Sequence, residues 1–148
     1  MGIMLYLGVR LSDAIRLGPQ HENKVGDSIT FPVFKGRKKS LKILTLRILP
    51  PLREIIDSTT IGETTYLLTK HGRPHGSAAS FGNWFSKRCH AIGLPNCSSH
   101  GLRKAASVMC AEAGASVHEM MALFGWDPFF RKPPIFFCLI NRDMPQTF

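Results

Sequence analysis

A histidine and an arginine lie three positions apart in residues 99–106, which read Ser-His-Gly-Leu-Arg-Lys-Ala-Ala. This stretch predicts the start of a helix with a hydroxyl N-cap, and residues three apart share one helix face. The first turn of a helix carries unpaired backbone N–H groups and the positive end of the dipole. His100 and Arg103 there would bind phosphate. The alternative is a capping turn whose two side chains only face solvent.

Another arginine follows a glycine near the start of the chain, where residues 8–17 read Gly-Val-Arg-Leu-Ser-Asp-Ala-Ile-Arg-Leu. Together with the His-Gly-Leu-Arg-Lys stretch, about ninety residues later, this segment resembles the tyrosine recombinases of the phage integrase family. The resemblance covers residues 1–126 and implies the catalytic-domain fold of that family. That fold is α+β and mainly α-helical, with a small antiparallel β-sheet or hairpin.

The resemblance assigns a role to each matching residue. Two arginines would hold the non-bridging phosphate oxygens, and a lysine on the hairpin would protonate the leaving 5′-oxygen. The histidine would assist proton transfer or bind the phosphate, and a tryptophan after glycine would donate its indole N–H. The matching catalytic residues are Arg10, Lys35, His100, Arg103 and Trp126, with Lys38 or Lys39 as substitutes for Lys35. Arg10 as a surface arginine and Trp126 as a core residue are the alternatives.

The nucleophile that the resemblance requires is missing from its expected place. Family members cut DNA with a tyrosine, which forms a 3′-phosphotyrosine without metal or ATP. That tyrosine follows the Gly-Trp pair by about nine residues, near Ile135, where no hydroxyl stands. The chain has only Tyr6 and Tyr66. We therefore expect a cleavage-defective protein, unless an intact recombinase protomer supplies a tyrosine in trans.

The last segment of the chain, residues 127–148, differs in character from residues 1–126. It holds four prolines, including Pro133 and Pro134, and no helical period. We expect residues 1–126 to form a partial catalytic domain, truncated at both ends, followed by an atypical tail that is frameshifted, replaced or disordered.

The charge of the chain favours a polyanionic partner. Nineteen Lys and Arg against ten Asp and Glu give a net charge of +9. Residues 24–47 hold seven of the basic residues and one acid. The resemblance implies double-stranded DNA as the partner, contacted by Arg37, Lys38, Lys39, Lys42 and Lys104. The alternative for the hairpin lysines is a solvated cluster that protects a strand edge.

Other classes of function are less well supported by the sequence. Four cysteines occur without a Cys-x-x-Cys pair, so we expect neither a metal site nor a cofactor. No segment is long and apolar enough to span a membrane, and the default location is cytoplasmic. Two further interpretations stay open: a non-enzymatic DNA-binding remnant or regulator, and the product of a decayed mobile-element gene that folds poorly.

Hydrophobic patterns predict the elements that would position these residues. Residues 29–34 and 41–46 alternate as the strands of a basic hairpin. Helices are expected from Ser12, from Pro50, over 81–92 and over 101–113. Ser116 and Glu119 have the spacing of a capping box for a last helix over 117–124.

Overall fold

A computed structural model of the chain describes residues 1–23, 25, 27–34 and 41–126, which form six α-helices and a three-stranded antiparallel sheet. The α+β, mainly helical fold class is confirmed. The helices are α1 (Gly2–Tyr6), α2 (Leu11–Ala14), α3 (Pro50–Ser58), α4 (Ala78–Ala91), α5 (Ser99–Glu112) and α6 (Val117–Phe124). The strands, in spatial order, are β1 (Glu22–Asn23), β2 (Ser28–Pro32) and β3 (Ile43–Arg47).

The sheet turns one apolar face toward the helices. In β2, Ile29 and Phe31 are buried and the residues between them are not, as the alternation in the sequence predicts. Thr30 lies opposite Thr45 of β3, and their hydroxyls are 3.0 Å apart. The loop between β2 and β3, which carries Lys35, Arg37, Lys38 and Lys39, lies outside the described residues, as does the predicted tail 127–148.

Serine side chains set the starts of the long helices. The Ser98 hydroxyl accepts from the Gly101 N–H at 3.2 Å, so α5 begins at Ser99, two residues before the predicted start. Ser116 and Glu119 form both halves of the predicted capping box of α6.

Two isoleucines that lie in the predicted helices from Pro50 and over 81–92 are exposed. Ile92 follows the last residue of α4 and is 69% exposed, because the helix ends before the pattern does. Ile55 of α3 is 39% exposed, whereas Leu52 and Ile56 on the same helix are buried. Ile55 lies at the edge of the buried face, where its Cδ1 would be 2.9 Å from a Cβ placed on Gly2 of α1.

A glycine joins α1 to α2 at the point where the chain meets the last helix. Gly8 has φ +57, which is the left-handed region that side chains rarely occupy. A Cβ placed on Gly8 would lie 2.3 Å from Cε1 of Phe124, the last residue of α6. The turn between α1 and α2 therefore packs its bare backbone against an aromatic ring more than a hundred residues away in sequence.

Replacement of Gly8 by alanine tests this packing. We expect Gly8→Ala to lower the free energy of unfolding by about 3 kcal/mol, because left-handed strain adds to the clash with Phe124. Gly114→Ala is the matched control, since Gly114 has φ +84 and nothing within 4 Å of its Cβ position. It should lose only about 1–2 kcal/mol. Urea denaturation followed by circular dichroism measures both; equal losses would contradict the close approach.

Candidate phosphate-binding site

The Arg103 side chain connects three separate parts of the fold. It lies on α5 and is 8% exposed. Its Nη1 donates to the Gly8 carbonyl at 2.5 Å, and its Nη2 donates to the Phe124 carbonyl at 2.6 Å. The two carbonyls stand at the α1–α2 turn and at the end of α6. A single guanidinium therefore holds α5, the start of the chain and α6 in one arrangement.

Arg10 stands two residues after Gly8, at the start of α2. Its backbone is extended, and its carbonyl accepts from the N–H groups of Asp13 and Ala14 at 2.9 and 2.8 Å. Arg10 and Arg103 are close enough to act on each other electrostatically. Burial, followed by the Arg10 charge, lowers the pKa of Arg103 to about 10, while the charge of Asp13 acts to raise it. The charge of Arg10 therefore opposes the charge of Arg103 in this part of the fold.

One carboxylate offsets these charges. Asp13 is 5% exposed, and its Oδ1 accepts from the Phe34 N–H at 2.8 Å. Burial raises the pKa of Asp13, while the Phe34 N–H and the charges of Arg10, Arg103 and Arg16 act to lower it. Asp13 was not among the residues predicted for the site. The feature that could have indicated it is an acid three residues after Arg10, at the start of a helix.

Asp13 also attaches α2 to the start of the basic loop, residues 35–40. Phe34, whose N–H donates to Asp13 Oδ1, is the last described residue before the segment 35–40. The Arg16 guanidinium also lies 3.8 Å from the centre of the Phe34 ring. Lys42 is half-buried just before β3, and its carbonyl accepts from the Val33 N–H at 2.8 Å. Both ends of the basic loop are thus held by the described structure.

The remaining predicted residues differ in how they relate to Arg103. His100 is exposed in the first turn of α5. Lys104 is exposed as well, but adjacent helix positions point in different directions, so it does not join the buried Arg103. Trp126 is 47% exposed, and its ring stacks on Phe124 at 4.9 Å between centroids and 21° between planes. Trp126 and Arg103 therefore contact the same residue.

The Tyr66 hydroxyl is engaged by a carboxylate, and Tyr6 belongs to α1. Tyr66 is 4% exposed, and its hydroxyl donates to a Glu22 carboxylate oxygen. Burial is the main cause that raises the pKa of Tyr66, followed by this hydrogen bond. Glu22 is in turn paired with Arg53 at 2.9 Å. Tyr6 is half-buried on α1 and packs against the core.

Two properties of the described residues bear on other kinds of site. In this part of the chain, no helix has both the length and the apolar character needed to cross a membrane. Within the same residues, His, Cys, Asp and Glu side chains do not gather in groups of three or more that could hold a metal ion.

The model of the phage integrase family matches residues 1–128. Among solved structures, the Tn1549 transposon integrase in complex with transposon right end DNA matches with a TM-score of 0.66 and 14% identity, over 83% of this chain and 48% of that one. The XerA recombinase matches with a TM-score of 0.61 and 12% identity, over 84% and 45%. The chain spans about half the length of these structures. No curated protein sequence matches it.

Replacement of Arg103 tests how much its two hydrogen bonds contribute to the stability of the fold. We expect Arg103→Lys to lower the free energy of unfolding by about 2–4 kcal/mol, because an ammonium cannot keep both bonds of the planar guanidinium and leaves a buried carbonyl unpaired. The exposed neighbour gives the control: Lys104→Ala should change stability by less than about 0.5 kcal/mol. Denaturant titration of the parent and the two variants measures the free energies of unfolding. An Arg103→Lys variant as stable as the parent would refute the bridging role of Arg103.

Proposed function

We propose that this chain, which belongs to the phage integrase family, binds the phosphodiester backbone of double-stranded DNA at the cluster of Arg10, His100 and Arg103. One observation carries the proposal. The charge of Arg10, which is half-buried, acts on the buried guanidinium of Arg103, and both act on the buried carboxylate of Asp13. Such a cluster has a surplus of positive charge that an anion can neutralise.

The geometry suits a phosphate oxygen. A guanidinium carries five N–H donors, and the carbonyls of Gly8 and Phe124 use two donors of Arg103. The others remain for a ligand, at a site where little water competes. His100 adds a donor on the first turn of α5, where the helix dipole also favours an anion.

The remaining roles follow from the family. We assign Lys35 as the general acid, with Lys38 or Lys39 as substitutes, and Trp126 as an indole N–H donor beside the phosphate. Arg37, Lys42 and Lys104 add phosphate contacts, and residues 1–126 form the unit that carries the site. The Tn1549 integrase, which shares the fold, is solved in complex with DNA, and this supports DNA as the ligand. The cytoplasm is the proposed location.

We further propose that the chain does not cleave DNA by itself. Recombination in this family needs a tyrosine nucleophile, and the buried hydroxyl of Tyr66 is engaged by Glu22. A second candidate function is therefore a DNA-binding regulator derived from a mobile element, which occupies sites without cutting them. An intact recombinase protomer that donates its tyrosine in trans would restore the recombinase function.

The salt dependence of binding tests the phosphate contact. If about three phosphates are neutralised, the slope of log K against log salt should be about −2.7 for a duplex of any sequence. Arg10→Ala should weaken binding about tenfold and reduce the slope by about one. Lys87→Ala, an exposed lysine on α4, removes the same charge and should have a smaller effect. Fluorescence anisotropy with a labelled duplex measures the affinities, and equal effects of the two variants would exclude this cluster as the contact.

A nicked suicide substrate tests the cleavage defect. The purified chain should trap no covalent protein–DNA adduct, because Tyr66 is buried and bonded and Tyr6 packs on the core. An active tyrosine recombinase run in parallel on its own substrate gives the positive control. An adduct that Tyr66→Phe or Tyr6→Phe abolishes would show that the chain cleaves DNA in cis.

A further inference from the structure

Phe124 contacts two of the residues that the sequence assigned to the site, Arg103 and Trp126. Its side chain is 1% exposed. Its carbonyl accepts from Arg103 Nη2 at 2.6 Å, and the Arg103 guanidinium carbon lies 5.2 Å from the centre of its ring. The ring of Trp126 stacks on the same residue at 4.9 Å. Both groups that would face a phosphate therefore take their position from Phe124.

The ring itself is held from a third side. Gly8 packs so closely that a Cβ there would meet Cε1, Cδ1 and Cζ of the Phe124 ring at 2.3 to 3.1 Å. The carbonyl of this same glycine accepts from the other end of the Arg103 guanidinium. Gly8, Phe124 and Arg103 thus form a closed set of contacts in which a shift of the ring changes both hydrogen bonds of the guanidinium.

The nature of these contacts fixes direction as well as distance. A carbonyl bond and a cation–π contact together restrict the plane of a guanidinium, and a stacked ring restricts the plane of an indole. A branched aliphatic side chain would fill the volume of Phe124 without supplying a flat surface to either group.

We propose that Phe124 is a positioning residue, which aims the free N–H groups of Arg103 and the indole of Trp126 at one phosphate. This inference rests on the proposed DNA-binding function. A core residue without this role would affect DNA binding only through the stability of the fold.

The test compares Phe124→Leu with Phe85→Leu. Phe85 is 2% exposed on α4 and makes none of the site contacts described above, so it matches Phe124 in type and burial. At a temperature where both variants are folded by circular dichroism, Phe124→Leu should weaken duplex binding about fivefold to tenfold, whereas Phe85→Leu should leave it unchanged. Equal effects of the two variants would overturn the proposal.

A spectroscopic readout separates positioning from stability. In a Trp84→Phe background Trp126 is the remaining tryptophan, and its emission reports its own surroundings. Phe124→Leu should shift that emission to the red and raise its quenching by acrylamide, and Phe85→Leu should not. Phe124→Met, whose unbranched, flexible side chain fills the space without a ring more readily than leucine, replaces the leucine variant if the latter does not fold. An unchanged emission in the folded variant would count against the proposal.

A double-mutant cycle that combines Trp126→Ala with Phe124→Leu measures the coupling between the two residues in DNA binding. The indole substitution should weaken DNA binding in the parent and have less effect in the Phe124→Leu variant, because the indole is no longer aimed. Additive losses would refute the coupling. Parent protein that binds DNA without salt dependence would instead refute the proposed function, while the shift in Trp126 emission would still report the contact with Phe124.

Discussion

The arrangement of the site depends on the two hydrogen bonds that Arg103 makes to main-chain carbonyls. The acceptors belong to the first and last helical regions of the described chain, and the donor lies between them on α5. Two carbonyls at such helix ends have no partner within their own helix. The guanidinium satisfies both and keeps further donors for a ligand. The residue that is expected to bind phosphate therefore also connects α5 to both other parts of the fold. Truncation of its side chain would remove the proposed ligand contacts and the two structural hydrogen bonds together.

Charge balance around this residue is set by Asp13. A buried carboxylate is costly by itself, and the raised pKa of Asp13 shows that burial outweighs its favourable partners. Arg10, Arg16 and Arg103 nevertheless act on it, and it also holds the Phe34 N–H. Asp13 thus links the two arginines that flank α2, and the arginine on α5, to the beginning of the basic loop. Because three arginines surround this one acid, the cluster has a net positive charge. A bound anion would reduce that charge and the repulsion among the arginines.

Local patterns in the sequence predicted much of the fold. Alternation identified the hairpin strands, and the spacing of Ser116 and Glu119 identified the start of α6. Arg10 and Arg103 were assigned to the site because each lies in a short motif, and that assignment stays a prediction. The importance of Asp13 and Phe124 could not be predicted in this way, because an acid near a helix start and an apolar residue at a helix end are common. Their roles arise from contacts that are distant in sequence, of Asp13 with Phe34 and of Phe124 with Gly8. Ile92 was misplaced because periodicity does not show where a helix stops.

The span of the Arg103–Gly8 bond has a consequence for the order of folding. It joins residues 95 positions apart, and the bond to Phe124 adds a further 21. Contacts of such separation form late, since the chain between them must first lose much of its conformational entropy. During synthesis the hairpin and α3 can form while α6 is still inside the ribosome. The proposed affinity for DNA should therefore arise in a single step near the end of folding, and nascent chains that stop before Phe124 should lack the two bonds by which Arg103 joins the ends of the fold.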